Sequence, residues 1–233
     1  FTLPFLIVAI LFQSIQAQTL NDRAMEQAKK SFPQFYELLS LENDAHFPKA
    51  IEQNMLWSEK AFSTRLFTTR RLQTKGIPLL LAERSFKDAK KTVLIYLQID
   101  GQPVDPEKWD QPSPWKPVLK EMNADGKWEI IPDEKLQGKI NPDWRIFARS
   151  TSDAKGPAMA YLAALDALAE MKAQPNFNMK VILDFEEELG SPRLPAAVSQ
   201  YKKELAADML IIFDGPRHVS NQPTLSFGAR GIS

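Results

Sequence analysis

The fold is decided by residues 184–192, which read DFEEELGSP. They follow an apolar run at 179–183 that predicts a buried strand, and they precede a helical pattern at 194–207. Acidic side chains therefore gather where a strand ends, before a turn formed by Gly190 and Ser191. Ligands bind at such strand ends in open α/β sheets. Because adjacent carboxylates repel one another unless a cation or proton intervenes, this edge is a candidate site, with a solvated acidic loop as the alternative.

The composition excludes several classes of protein and site. The chain has 233 residues, which is enough for one α/β domain with a sizeable core. Its 29 acidic and 29 basic residues balance, which argues against a nucleic-acid surface. The chain has no cysteine, so it forms no disulfide and no thiolate metal site. With only His46 and His218 available, a metal site must rely mainly on carboxylates.

Residues 1–18 differ from the rest of the chain. A short apolar run at 3–12 is followed by polar residues at 13–16 and by the small residue Ala17. This pattern predicts a signal peptide over residues 1–17, because the run is too short to span a bilayer comfortably. We expect an exported protein, periplasmic or secreted, that is free of the membrane after cleavage. An uncleaved membrane anchor is the alternative.

Helical and strand patterns alternate along the remaining chain. Helices are predicted at 20–41, 50–67, 156–173 and 194–207, and strands at 67–74, 78–83, 92–99, 179–183 and 209–213. Pro33 is expected to kink the first helix or to end it early. The alternation predicts the α/β class, with a largely parallel mixed sheet flanked by helices on both faces.

Acids follow all three strands that are predicted to be buried. Asp100 follows the strand at 92–99, residues 186–188 follow the strand at 179–183, and Asp214 follows the strand at 209–213. A fourth acid, Asp153, precedes the helix at 156–173. Parallel strands place their carboxyl ends on one edge, so these acids can converge into a site for a hard or borderline cation. Coincidence is the alternative, because aspartate is common after strands.

The segment at 100–146 is long, irregular and rich in Pro, Trp and Asp. A connection of this length in a compact domain is usually functional or carries small elements of its own. Four tryptophans belong to it, and they either line a substrate mouth or pack the segment: Trp109, Trp115, Trp128 and Trp144.

Four pieces of the sequence together resemble the zinc metallopeptidases of the aminoacylase and carnosinase type, peptidase family 20 of the metallo class. The pieces are VLIYLQIDGQPVDPEKW at 93–109, ARSTSDAKGP at 148–157, DFEEELGSP at 184–192, and FDGP at 213–216 with TLSFGARG at 224–231. The residues of these pieces resemble the dipeptidase branch of the family most. The resemblance implies a catalytic α/β domain whose first part is residues 18–233, with a lid and dimerisation domain expected to begin where the chain ends.

The resemblance also implies roles for individual residues. Asp153 matches the carboxylate that bridges two metal ions, and Glu188 and Asp214 match the ligands of one metal each. Glu187 matches the general base. Asp100 matches the acid that orients a metal-binding histidine two residues earlier, since residues two apart on a strand share a face.

The sequence departs from the family pattern at that histidine, whose position holds Gln98. A neutral amide oxygen is a poorer zinc ligand than imidazole, although its NH₂ group can hydrogen-bond Asp100. Ala148 and Ser150 replace two glycines of the turn that carries Asp153. Arg149 is expected to pair with Asp100 or Asp153 or to be a surface arginine, and Lys155 to anchor the turn, touch substrate or be solvated.

The implied function is a metal-dependent hydrolase that cleaves an amide bond of a dipeptide or an N-acyl amino acid. Two divalent ions are implied, zinc by the family and Mn²⁺ or Mg²⁺ as an alternative at Gln98. The resemblance also implies a homodimer. Because of Gln98, the alternative function is an inactive relative that binds metal or peptide without turnover.

Overall fold

A computed structural model describes residues 20–214, and a five-stranded sheet lies at its centre. The elements in chain order are α1 (Leu20–Leu39), α2 (Pro48–Ser63), β1 (Thr68–Leu72), β2 (Leu79–Arg84), β3 (Lys91–Gln98), β4 (Val118–Met122), β5 (Trp128–Ile131), β6 (Arg145–Phe147), α3 (Lys155–Glu170), β7 (Phe177–Asp184), α4 (Leu194–Gln200) and β8 (Met209–Ile212). The order confirms the predicted alternation of helices and strands.

The central sheet has the strand order β1-β2-β7-β3-β8. β3 runs parallel to both β7 and β8, whereas β1 and β2 form an antiparallel hairpin that joins β7 antiparallel. The prediction of a mixed sheet with a parallel centre is confirmed. The three strands followed by acids are the three parallel ones, so their carboxyl ends share one edge.

Helices cover both faces of this sheet, as predicted. Alternate residues of β2, Leu80 and Ala82, pack with side chains of α2 and α3 in the larger core. The intervening residues Leu79 and Leu81 pack with Ala197 of α4 in a smaller one. This two-residue alternation is what a strand buried on both faces requires.

Two helix predictions need correction. α1 continues through Pro33 to Leu39, so the alternative of an early end is wrong. Its packing against α3 supports the helix past the hydrogen bond that proline removes. α4 ends at Gln200, where the prediction extended it to residue 207, and the chain continues in turns.

The long segment after β3 contains a second sheet. Its three antiparallel strands have the order β5-β4-β6, so β4 lies in the middle. Two 3₁₀ turns accompany these strands: Pro106–Lys108 precedes β4, and Asp133–Gln137 lies between β5 and β6. The segment therefore carries small elements of its own, which is one of the two alternatives that its length indicates.

Within residues 20–214, no helix is both long and apolar enough to cross a bilayer. The predicted signal peptide lies among residues 1–19, outside the described part of the chain, and it remains a prediction. His218 and the 224–231 piece of the resemblance also lie outside the described residues.

Candidate metal and catalytic centre

The acidic turns meet at the carboxyl edge of the parallel strands. Gln98 ends β3 directly opposite Asp184, which ends β7. Asp214 follows the end of β8 by two residues. The topology therefore brings together side chains that are up to 116 positions apart in sequence. β3 and β7 are buried toward this edge, whereas β8 is an edge strand with mostly exposed side chains in the described structure, so the prediction of a buried strand at 209–213 is wrong.

The Gln98 side chain links two of the predicted metal ligands. Its Nε2 atom lies 3.1 Å from Oδ1 of Asp153 and 3.4 Å from Oδ1 of Asp214. The residue is only 2% exposed, and its Oε1 atom is buried without a hydrogen-bond partner in the described structure. The amide thus bridges the two carboxylates, whereas the sequence suggested a hydrogen bond to Asp100.

Asp100 contacts the acidic turn and not the Gln98 amide. Its Oδ2 atom accepts a 3.0 Å hydrogen bond from the backbone N–H of Glu188. Burial raises the pKa of the Asp100 carboxyl to about 7, since desolvation penalises the charged form. Its Oδ1 atom is buried and has no partner among the described residues. Asp100 therefore ties the Glu187–Leu189 turn to the end of β3 and keeps one acceptor available.

Asp184 organises the same turn from its other end. Its Oδ2 accepts hydrogen bonds from the hydroxyls of Ser191, at 2.7 Å, and Tyr96, at 3.1 Å, and its Oδ1 accepts one from the backbone N–H of Glu186. Gly190 follows the turn with φ = 79°, in the left-handed region that glycine adopts most easily. These contacts fix where Glu187 and Glu188 point.

Glu187 lies in a field of negative charge. Partial burial raises the pKa of its carboxyl, and the nearby charges of Glu188, Asp214, Asp153 and Asp184 raise it further, in that order. The predicted base and three predicted ligands are therefore close enough to interact electrostatically.

Buried contacts support the turn that carries Asp153. Ser150 adopts φ = 61°, the left-handed conformation, at a position where the family pattern has glycine. Its hydroxyl accepts a 3.0 Å hydrogen bond from Asn43, whose Nδ2 also donates to the carbonyl of Ile99. Asn43 thus joins this turn to the end of β3.

Lys155 fixes the other side of the Asp153 turn. Its ammonium group is fully buried and donates to the carbonyl oxygens of Leu38, at 2.8 Å, and Leu41, at 2.6 Å. Burial lowers the pKa of Lys155 to about 7. Lys155 is therefore an anchor between α3 and the end of α1, which is one of the three interpretations that the sequence left open, and the solvated alternative is wrong.

Comparisons with known proteins identify a family for this chain. Residues 94–226 match the family model described as peptidase family M20/M25/M40. The chain belongs to this family. The match covers β3, the small sheet, α3 and the DFEEELGSP turn, so the resemblance stated from four short pieces is confirmed over more than half of the chain.

Curated relatives of this M20 chain are dipeptidases. It is 28% identical over 158 residues to human Beta-Ala-His dipeptidase, a match that covers 67% of this chain and 27% of that protein. It is 28% identical over 157 residues to the Cys-Gly metallodipeptidase of Schizosaccharomyces pombe, covering 66% of this chain and 29% of that protein. The chain thus spans less than a third of the length of these relatives.

Solved structures of M20 proteins share the fold. An M20 metallo-carboxypeptidase from Sulfolobus solfataricus superimposes with a TM-score of 0.66 and 27% identity, covering 83% of this chain and 39% of that one. Human carnosine dipeptidase 1 gives a TM-score of 0.63 with 19% identity, covering 83% and 41%. Both comparisons confirm the α/β architecture.

M20 membership implies divalent metal ions, and the donor set can be tested for them. Within residues 20–214, no three acidic or histidine side chains are close enough to hold an ion by themselves. Gln98 adds a donor, because exchanging the two ends of its amide turns the unpaired Oε1 toward Asp153 and Asp214. Three oxygen donors suit a hard divalent cation, so the residues fit such an ion.

The structure places most of the predicted site residues at one edge. The residues that meet there are Gln98, Asp100, Asp153, Glu187, Glu188 and Asp214. Arg149 is elsewhere, over the ring of Trp109 at 5.6 Å, and pairs with neither Asp100 nor Asp153. His46 lies in a local contact, with its Nδ1 atom 2.7 Å from the accepting Oδ1 atom of Asp44.

The sequence did not identify three residues that support this edge: Asn43, Tyr96 and Asp184. Asp184 opens the DFEEELGSP stretch and could have been singled out as the residue at the strand end. Asn43 and Tyr96 act through contacts that span 107 and 88 positions, and no local sequence pattern reports such contacts.

Proposed function

We propose that the protein is a metal-dependent hydrolase that cleaves an amide bond of a dipeptide or an N-acyl amino acid. The observation that carries the proposal is the position of Asp153 and Asp214 on the Gln98 amide, at the edge where the Glu187 turn ends. Membership of the M20 family and the similarity to two dipeptidases support it. The names of those relatives favour a dipeptide over an N-acyl amino acid.

Each residue has a defined task in this proposal. Two divalent ions would be held by Asp153, Asp214, Glu188 and Gln98, and they would supply Lewis acidity at the scissile carbonyl. Glu187 accepts a proton from the attacking water and passes it to the leaving amine. The hydrogen bonds that Asp100 and Asp184 make to the same turn hold Glu187 in position.

Gln98 determines which metal the centre prefers. Its amide supplies a neutral oxygen where the family has an imidazole nitrogen, so that side of the centre is built from oxygen donors only. Such sites favour Mn²⁺ or Mg²⁺ over zinc. We therefore propose zinc at the Glu188 side, as in the family, and a harder ion beside Gln98.

Two substitutions in the intact protein test the role of Glu187. Glu187→Gln keeps the size of the side chain but cannot take a proton, so kcat should fall by about 10²- to 10⁴-fold while bound metal is unchanged. Glu186→Gln is the matched control, because the Glu186 carboxylate is buried and pairs with Arg193. It should retain most of the activity.

The outcome that contradicts this assignment is an exchange of the two effects. If Glu186→Gln abolished turnover and Glu187→Gln did not, the base would be one residue earlier than the Gly190–Ser191 turn indicates. Equal, small effects of both substitutions would remove the general base from the mechanism.

A second function is favoured by one specific observation. Gln98 bridges Asp153 and Asp214 through its NH₂ group, and this arrangement satisfies the two carboxylates without any cation. A protein that kept this arrangement would bind peptides without cleaving them. Metal content and turnover measured together separate the two functions, since the hydrolase requires bound divalent ions and cleaves its substrate, whereas the inactive relative binds metal or peptide without turnover.

The location and assembly of the protein are part of the same proposal. We propose an exported enzyme, on the basis of the apolar run at 3–12 and the small residue Ala17. We propose a homodimer and a small peptide substrate, on the basis of the family resemblance. Sequencing the amino terminus of the protein recovered from its host tests the first point, because cleavage predicts a start near Gln18.

A further inference from the structure

The small sheet presents a lysine in the middle of one of its faces. β4 is the central strand, and its residues alternate, so that Leu119 is 1% exposed on one face and Lys120 lies on the other. Lys120 is paired across the strands with Ile130 of β5 and Arg145 of β6. Residues directly opposite one another share a face, so a second cation lies beside Lys120.

Lys120 is buried without an acidic partner. Only 5% of the residue is exposed, yet the contact that the structure gives its ammonium group is with the ring of Phe147, 4.5 Å from the centroid. Among residues 20–214 it makes no ion pair and no hydrogen bond. The side chain is thus largely enclosed while its ammonium group faces an aromatic ring and no carboxylate, so an anion that reaches the group would supply the partner that the chain does not.

Lys120 lines a cavity of about 500 Å³. Three aromatic rings, those of Trp109, Trp128 and Phe147, form part of its wall, and Trp128 contacts Phe147 edge-on at 5.2 Å. Lys108 and Lys127 add positive charge, against one carboxylate, that of Asp110. The volume is that of a small-molecule site, and none of these residues belongs to the acidic edge.

We propose that this cavity binds a small organic carboxylate that carries an aromatic or aliphatic group. The carboxylate pairs with the Lys120 ammonium, and the apolar group lies against the indoles of Trp109 and Trp128. The aromatic wall favours such an amphipathic anion over inorganic phosphate, which would lose its hydration without gaining apolar contact. This site is separate from the proposed hydrolytic centre and does not depend on it.

Binding of 3-phenylpropionate to the intact protein tests the proposal. Titration is followed by calorimetry and by tryptophan fluorescence, with a chelator present so that metal-bound carboxylate does not contribute. We expect saturable binding that weakens about tenfold or more in Lys120→Met, because a charged hydrogen-bond partner is lost. The neutral analogue 3-phenylpropionamide should bind more weakly by a similar factor, and inorganic phosphate should not compete.

Lys116→Met is the matched control, because Lys116 is an exposed lysine just before β4 and lines no part of the cavity. It should bind 3-phenylpropionate as the unmodified protein does. Trp128→Leu is the second variant, in case Lys120→Met fails to fold, and it should weaken 3-phenylpropionate more than acetate. Absence of saturable binding, equal binding of acid and amide, equal competition by phosphate, or unchanged affinity in both variants would overturn the proposal.

Discussion

Lys155 offers the clearest prediction about stability. Its side chain is fully buried between α3 and α1, and its amine donates to the carbonyl oxygens of Leu38 and Leu41. Lys155→Met keeps an unbranched side chain of similar length but removes the donor. The substitution therefore isolates the two hydrogen bonds from the packing of the aliphatic stem.

The expected loss of stability depends on which hydrogen bonds the carbonyl oxygens of Leu38 and Leu41 keep after the substitution. The Leu38 carbonyl still accepts the backbone N–H of Leu41, at 3.2 Å, whereas the described structure shows no second donor for the Leu41 carbonyl. An acceptor left without a partner costs about 1–3 kcal/mol, and the other lost hydrogen bond about 1 kcal/mol. Removing a buried amine whose pKa burial lowers to about 7 offsets part of this loss. We expect a net destabilisation of about 1–3 kcal/mol.

Urea denaturation followed by circular dichroism, with a chelator present, measures this effect. A loss of about 2 kcal/mol should lower the urea midpoint by about 1 M for a typical urea slope. Lys202→Met is the matched control, because Lys202 is exposed in the turn after α4. A midpoint for Lys155→Met equal to that of Lys202→Met would refute the anchoring role.

Three further predictions concern the candidate centre. Gln98→His should raise the affinity for zinc about tenfold or more, because Asp100 has an unpaired buried oxygen that can orient the new ring. Competition with a chromophoric chelator measures this affinity, and an unchanged value would remove Asp100 from that role. Glu188→Gln should weaken metal binding about 10- to 100-fold in equilibrium dialysis, in contrast to Glu187→Gln, and the reverse order would reassign the ligand. Gly190→Ala should destabilise the protein by about 1 kcal/mol, because φ is 79° at this position. An added Cβ would meet no atom within 4 Å, so the cost comes from the backbone conformation alone. A stability equal to that of the unmodified protein would show that the turn relaxes.

The centre of the fold could be predicted because its signals are local. Unbroken apolar runs mark β3 and β7, and the acids that follow them mark the functional edge once the strands are parallel. The small sheet at 118–147 was not predicted, since its strands have three to five residues and its burial pattern is mixed. Strands this short give too little periodicity to detect.

Which residues belong to the site was easier to predict than which atoms they contact. The spacing of Gln98 and Asp100 suggested that they would bond to each other, but Gln98 reaches Asp153 and Asp214, which approach from α3 and β8. Lys155 had three open interpretations, because its sequence neighbours do not show that the end of α1 packs over it. Such contacts depend on tertiary packing, which no local pattern encodes.

The measurement that tests the account most directly is hydrolysis of a dipeptide panel by the intact protein, before and after removal of metal. We predict turnover that is lost on chelation and restored by added Mn²⁺ or Zn²⁺, with metal content rising in step. Restoration should fail in Glu187→Gln while its metal content recovers. Turnover that survives complete removal of metal, or its absence with every dipeptide and every metal, would contradict the assignment of this edge as a hydrolytic centre.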